Sequence, residues 1–345
     1  MAAPSESNGP QLASPLHIAP NNLLLRVEQG RICTAFGIKI VPGGEIVHIA
    51  KSSGYDSLFI DLEHTTLTIR DAGQLCITAC SAGITPFVRV PHQCGHGFIQ
   101  RVLDAGAMGV IVPHIHGVED AQRAIRVAKY PPLGARSISS GFPQFEYSPH
   151  PVSVVTSEMN KYGSTVFIMI ETADALRAVD EIAALPGCDV LLVGSNDLAS
   201  EIGTLGDWDS PVFYDALKRV SDAARKHGRI MGIAGLYHRP DILQRVINEL
   251  GARWIVGAQD VGLLLGGGRA NSDLLRSLQE GSERPRVYAY TLASSLSSPA
   301  DEERISSDGR ADGGRANAAL EEQARAKGTK LQVERRPAMT RDATT

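Results

Sequence analysis

Eight short β-rich runs alternate with amphipathic helical patterns, glycine-bearing turns separate most of them, and polar residues gather where the runs end. Over roughly 250 residues, these observations predict an α/β fold, a (β/α)8 TIM barrel with disordered N- and C-terminal tails.

The runs are "RICTAFGIKI" from Arg31, "SLFIDLE" from Ser57, "TPFVRVP" from Thr85 and "GVIVPHI" from Gly109. "TVFIMIE" from Thr165, "DVLLVGS" from Asp189, "RIMGIAG" from Arg229 and "WIVGAQD" from Trp254 complete the eight. Their β-branched and aromatic content and their length suit buried strands. Turns such as "SSGYD", "SAGI", "DAGAM", "LPGCD", "KHGR" and "ELGAR" precede most of them, each with a glycine free to end the helix before it. Between runs stand amphipathic stretches such as "GFIQRVLDAG", "VEDAQRAIRVAKY", "TADALRAVDEIAAL" and "RPDILQRVINEL". A doubly wound open sheet is the alternative. It lacks its dinucleotide fingerprint, because "KIVPGGEI" follows the first run where GxGxxG would stand. Residues 1–20 and 281–345 are rich in Pro, Ser, Gly and charge without periodicity and read as disordered, leaving 21–280 for the barrel.

With 345 residues, 43% hydrophobic and 21% charged, the chain can bury one large core. A net charge of −4 offers no basic surplus for nucleic acid, so a small-molecule partner is expected. No basic start leads into an apolar run and no segment suits a membrane span; a soluble cytoplasmic protein with no membrane partner is expected. Five cysteines, an odd number without a CxxC pair, indicate neither a disulfide framework nor a zinc knuckle.

In such barrels the chemistry lies at the C-terminal strand ends. Asp61, Glu63 and His64 close the second run, Arg89 the third, His114 and His116 the fourth, and Glu171 the fifth. Asn196 and Asp197 follow the sixth, and Gln259 and Asp260 close the eighth. Glu171 and Asp197 end neighbouring strands and suit one hard divalent ion, Mg²⁺, Mn²⁺ or Co²⁺, that would stabilise an enolate; pairing with Arg or Lys is the structural alternative. An imidazole at His64 can move protons near neutrality, and Arg89 offers a forked cation to a carboxylate or oxyanion. Lys39 is the only lysine near a run end, so Schiff-base chemistry is disfavoured against metal-assisted enolisation.

The segments "FIDLEH", "FVRVP", "VLDAGAMGVIVPHI", "YPPLGARS", "IMIETADAL" and "LPGCDVLLVGSNDLASEIG", in this order, resemble the signatures of the HpcH/HpaI family of metal-dependent 2-oxo acid aldolases. The resemblance spans about Gly30 to Gln279. It implies reversible aldol cleavage of a 4-hydroxy-2-oxo acid to pyruvate and an aldehyde, in a homo-oligomer built of dimers, up to a hexamer, that exchange the last helix. By motif it makes Glu171 and Asp197 the metal ligands, His64 the catalytic histidine, Arg89 the substrate arginine and Asp104 the partner of that histidine. The turn of Gly194, Ser195 and Asn196 would receive the keto acid's carboxylate, with Asp61 and Glu63 as accessory groups.

Two departures bear on the substrate. Met169 stands where the family commonly has Gln, and Ser137 where it has Gly. The loop after Arg136 carries Phe142, Phe145 and Tyr147, which would either line an apolar acceptor site or pack on the barrel. Macrophomate synthase belongs to the same superfamily. Oxaloacetate decarboxylation or a related bond-forming reaction is therefore the alternative to aldol cleavage, and a non-catalytic metabolite-binding barrel the alternative of another class.

Overall fold

A computed structural model describes residues 18–278; the tail expected at 281–345, the last two residues of the expected barrel and residues 1–17 of the first tail lie outside them. Residues 18–20, also expected in the first tail, already touch the barrel: the Ala19 amide donates to the Gln144 carbonyl at 2.7 Å. The Thr85 hydroxyl donates to the Pro20 carbonyl at 2.8 Å.

The first half runs α1 (Asn22–Glu28), β1 (Cys33–Ile38), α2 (Glu45–Ser52), β2 (Ser57–Asp61), α3 (Ile69–Ala82), β3 (Thr85–Arg89), α4 (His96–Asp104), β4 (Gly109–Val112) and α5 (Val118–Ala128). After a long loop come α6 (Val152–Glu158), β5 (Thr165–Ile170), α7 (Ala173–Arg177), α8 (Val179–Ala184), β6 (Val190–Gly194) and α9 (Ser195–Glu201). The chain continues through α10 (Pro211–Lys226), β7 (Ile230–Ala234), α11 (Pro240–Asn248), β8 (Trp254–Gln259) and α12 (Asp260–Ser277). All eight strands pair in parallel and in order, and β8 closes on β1, so the barrel and not the open sheet is formed. The six glycines of the quoted turns all have positive φ. Gly83, at 72°, caps α3 in the left-handed conformation that a Cβ would oppose.

Side chains alternate across the sheet, as a strand's period of two requires. Cys33, Ala35, Phe59, Phe87, Phe167, Met169, Leu192 and Trp254 fill the barrel interior. Their neighbours, such as Leu58, Ile60, Val88, Ile168, Ile170 and Val193, pack outward against the helices. Trp254 lies 4.7 Å from Phe167 and 5.9 Å from Phe87, ring to ring, and its indole N–H donates to Ser57 Oγ at 3.0 Å. The interior is therefore a packed core, with room for chemistry only at its mouth.

Helix α1 closes the opposite end. Leu23 is fully buried among the interior residues. Asn21 Nδ2 donates to the Tyr162 carbonyl and Thr165 Oγ1, and Asn22 Nδ2 to the carbonyls of Asp56 and Gly83.

The loop after Arg136 does not line the mouth. Phe142 and Phe145 are buried with Tyr130 and Met159, and the Gln144 amide donates to the carbonyls of Leu103 and Ala107, where α4 leads into β4. That is the floor side of the barrel, so the aromatic acceptor site considered for this loop is replaced by packing. Tyr147 is exposed there.

Candidate active site

Asp61 ends β2 and Arg89 ends β3, and they are register partners. Both follow inward-facing phenylalanines, Phe59 and Phe87, by two residues, so the same alternation aims them into the mouth. Asp61 is fully buried and accepts Arg89 Nε at 2.9 Å on Oδ1 and Nη2 at 2.7 Å on Oδ2. The amides of Glu63 and His64 also donate to Oδ1, at 3.0 and 3.4 Å. Burial alone would raise the Asp61 carboxyl; the Arg89 hydrogen bonds and charge, the Glu63 amide and Lys39 outweigh it and hold the group below its ordinary value. Arg89 also faces Glu63, with Nη1 3.2 Å from Oε2, and its guanidinium lies 5.2 Å from the Phe59 ring centroid.

A second group forms beside it. Strand β4 stops at Val112 because Pro113 has no N–H for the ladder, and His114 then turns with φ 51°. That turn aims the His114 amide at Glu171 Oε1, 2.6 Å away. The His114 ring reaches back, with Nε2 3.4 Å from Glu63 Oε1. Glu171 follows β5 and is 1% exposed, yet its Oε2 has no hydrogen-bond partner among the described residues. A side chain on Gly194 would collide with that oxygen. Burial pushes the Glu171 carboxyl up; the His114 amide and ring and Arg89 oppose this, and the Asp197 charge adds to it.

Gly194 ends β6, and Ser195, Asn196 and Asp197 open α9. Ser195 is buried, its hydroxyl without a partner among the described residues, while Asn196 and Asp197 are exposed. Among the described residues no cluster of three or more His, Cys, Asp or Glu side chains could hold a metal ion. The chain thus offers two carboxylates, Glu171 and Asp197. An orphaned buried oxygen on one, and a charge on the other close enough to be felt, fit a hard divalent ion that keeps its remaining positions for water and substrate oxygens.

The other expected residues divide. His64 stands at the rim, its side chain 57% exposed, with Nε2 3.7 Å from Glu63 Oε2. Asp104 does not meet it within the chain. Helix α4 runs against the strands, so its last residue lies at the floor side, where Asp104 accepts Arg136 Nη2 at 2.6 Å. Arg136 is in turn stacked 4.8 Å from the Tyr130 ring and 5.6 Å from Phe142. His116 is an exposed rim residue. Asp260 is a clasp: its buried carboxylate accepts the amides of Lys39, Ile40, Val41 and Val261 and ties the β1–α2 loop to the start of α12.

Three further groups complete the mouth. Besides His114, these are Lys39, whose Nζ lies 3.5 Å from Asp61 Oδ2, and Tyr237, whose hydroxyl accepts Gln259 Nε2 at 3.1 Å. Burial pushes the Tyr237 phenol up to about 12, so it remains a neutral donor. Lys39 and His114 stand at run ends noted in the sequence, and inward parity beyond the last apolar layer aims Lys39 into the mouth; Tyr237 and the His114 amide depend on a loop and a backbone turn that residue type does not announce.

The HpcH/HpaI aldolase/citrate lyase family model matches residues 43–264. The chain is 42% identical over 259 residues to 4-hydroxy-4-methyl-2-oxoglutarate aldolase tasA of Hapsidospora irregularis, covering 75% of this chain and 96% of that protein. It is 41% identical over 244 residues to 4-hydroxy-4-methyl-2-oxoglutarate aldolase cghB of Chaetomium globosum, covering 71% and 91%. Among solved structures it resembles macrophomate synthase with a TM-score of 0.59 and 25% identity, over 80% of this chain and 99% of that one. The motif order, the closed barrel and these relatives agree: the chain is a carbon–carbon lyase and belongs to the HpcH/HpaI aldolase/citrate lyase family.

Proposed function

We propose that the chain is a divalent-metal-dependent aldolase acting on a branched 4-hydroxy-2-oxo dicarboxylic acid, of which 4-hydroxy-4-methyl-2-oxoglutarate, the compound in the names of tasA and cghB, is the type. Cleavage between C3 and C4 gives two molecules of pyruvate, and synthesis is the reverse. Here the carbonyl fragment is a keto acid rather than the aldehyde expected from the resemblance. The observation that carries this reading is the buried Glu171 carboxylate, oriented by the His114 amide and left with one free oxygen toward the mouth, next to Asp197.

Glu171 and Asp197 would hold the ion, Mg²⁺, Mn²⁺ or Co²⁺, which when bound supplies Lewis-acid polarisation of the keto group. The chain's residues do the rest. Asp61 and Glu63 hold Arg89 rigid: two of its five N–H donors are bonded to Asp61 and a third faces Glu63, which leaves two for the keto oxygen as charge develops there. His64, beside Glu63, takes the proton of the C4 hydroxyl as the C3–C4 bond breaks, and a proton is returned to C3. The Ser195 hydroxyl and the amides from Gly194 to Asn196 receive the adjacent carboxylate.

We further propose a homo-oligomer. Of the 18 residues of α12 only Asp260 is buried, and Leu264 and Leu275 are 56% and 58% exposed. This apolar length matches the helix exchange implied by the resemblance. The pairing of Asp104 with His64 implied by the same resemblance can then be made only between copies. No helix among the described residues is long and apolar enough to cross a membrane, and a cytoplasmic location is part of this proposal.

Purified protein should be incubated with each ion and with 4-hydroxy-4-methyl-2-oxoglutarate or oxaloacetate while pyruvate is followed. Ion-dependent pyruvate from the first, abolished by EDTA and restored by the ion, supports the aldolase. Pyruvate from oxaloacetate alone would make the protein a decarboxylase.

A further inference from the structure

In a closed barrel of eight strands in order, β1 stands opposite β5. The metal-ligand candidates follow β5 and β6, so a keto acid held there by C1 and C2 extends its far end toward the wall made by β8, β1 and β2. At that wall the inward row Ala35, Gly37 continues to Lys39. Gly37 and Gln259 are register partners, and a Cβ on Gly37 would lie 2.8 Å from Gln259 Cγ, so the missing side chain leaves Gln259 the room from which it reaches the Tyr237 hydroxyl.

Most cations of the mouth are engaged. Arg89 is gripped by Asp61 and Glu63, and Arg239, in the β7–α11 loop, by Asp209 and Asp241. The Lys39 ammonium, in contrast, has three donors and a side chain 22% exposed, and its nearest carboxylate oxygen is 3.5 Å away, beyond a good hydrogen bond. That carboxylate, Asp61, is already satisfied by Arg89 and two amides. The Tyr237 phenol is close enough to feel the charges of Asp61 and Arg89, and its oxygen accepts from Gln259 while its own proton remains to be donated.

Resting on the aldolase reading above, we propose that Lys39, assisted by the Tyr237 hydroxyl, binds the distal carboxylate of the substrate and so selects 2-oxo dicarboxylic acids over their monocarboxylic counterparts. The charges agree. Asp61, Glu63, Glu171 and Asp197 are offset by Arg89, Lys39 and a divalent ion, so a second substrate carboxylate is held only if a cation with free donors faces it. The backbone of Lys39 is fixed for this task, its amide bonded to Asp260 at 3.1 Å. A competing anion site is the cavity of about 250 Å³ between the β3–α4 and β4–α5 loops, lined by His92, His96 and Arg123. It lies on the metal side of the mouth, and its arginine is taken by Asp120.

The test compares 4-hydroxy-4-methyl-2-oxoglutarate with 4-hydroxy-4-methyl-2-oxopentanoate, in which a methyl replaces the distal carboxylate, in wild type, Lys39→Met, Lys39→Arg, Tyr237→Phe and His92→Ala. Wild type should prefer the dicarboxylate. Lys39→Met should reduce the ratio of the two kcat/KM values about 10- to 100-fold, chiefly through KM for the dicarboxylate, the scale of a lost charge-assisted hydrogen bond. Lys39→Arg should retain most of the preference, and Tyr237→Phe should lose a few-fold of it. Binding of 2-oxoglutarate and 2-oxopentanoate to the Mg²⁺-loaded protein, by calorimetry, repeats the comparison without turnover. Loss of 2-oxoglutarate binding in Lys39→Met supports the subsite even where wild type cleaves neither compound, an outcome that removes the aldolase reading alone. No preference in wild type, equal losses for both compounds in Lys39→Met, or a loss of preference in His92→Ala instead overturns the subsite and leaves the aldolase standing.

Discussion

Arg89 grips Asp61 along one full edge, at 2.9 and 2.7 Å, inside a barrel mouth where the carboxylate sees no water. Two opposite charges so placed stabilise each other far more than either stabilises the fold alone, and removing one leaves the other buried and uncompensated. Asp61→Asn and Arg89→Met should each destabilise the protein by about 3–5 kcal/mol, and the double variant by less than the sum. Urea unfolding of the four proteins measures it; full additivity would show that the two side chains act independently.

The same pair sets an acid limit. The folded Asp61 carboxyl titrates below its ordinary value, so its contribution is complete above the unfolded value near ~3.9 and is lost as pH falls through the lower, folded one. Stability of wild type should fall more steeply than that of Asp61→Asn as pH drops below about 4. Parallel thermal-melting profiles between pH 2 and 5 would count against this assignment.

Glu171 is held near the surface of the core without being part of it. Glu171→Gln and Asp197→Asn should remain folded, with thermal midpoints within a few degrees of wild type in EDTA. Both should lose the rise in midpoint that added Mn²⁺ produces in wild type. An unchanged Mn²⁺ response in both variants would move the ion elsewhere.

His64 should be separable from the ion. His64→Ala should slow aldol cleavage by about 10²- to 10⁴-fold, the usual scale for a lost general acid or base, with Mn²⁺ affinity within a few-fold of wild type. Oxaloacetate decarboxylation, which has no hydroxyl proton to remove, should suffer less. Asp104→Asn has a structural effect besides, because it leaves the Arg136 charge without its carboxylate. A lowered midpoint is expected, and any change in the pH–rate profile should disappear on dilution to the monomer.

Helix α12 makes the oligomer testable without activity. Replacing Leu264 and Leu275 together by Glu should shift the mass measured by light scattering to that of one chain. A wild type that is already monomeric would dispose of the proposed helix exchange.

The barrel was legible because strand and helix leave different periods, and the mouth was legible because polar residues continue the inward row: Phe59 leads to Asp61, Phe87 to Arg89, Met169 to Glu171. Membership in a motif says nothing of the end of the barrel a residue faces, whereas a helix between two parallel strands must run against them. Asp104 shares a motif with the site residues yet ends a helix that descends to the floor, where Arg136 claims it. Phe142 and Phe145 sit in a loop without periodicity, so their burial followed only from the packing of Gln144 beneath β4. His114 contributes an amide through its backbone angle, and an imidazole name says nothing of that.

The Asp260 clasp bears on how the protein comes into being. It joins residues 221 positions apart, and the first strand has no partner on one side until the eighth is made. A growing chain emerging from the ribosome therefore carries Asp61, Arg89, Glu171 and Asp197 well before it can close the ring. Until then it is an open sheet with two raw edges, β1 and β7. Synthesis cut short before Trp254 yields a polypeptide that holds the metal-ligand and proton-transfer candidates but cannot seat Lys39. Selectivity for the substrate is the last property this chain acquires.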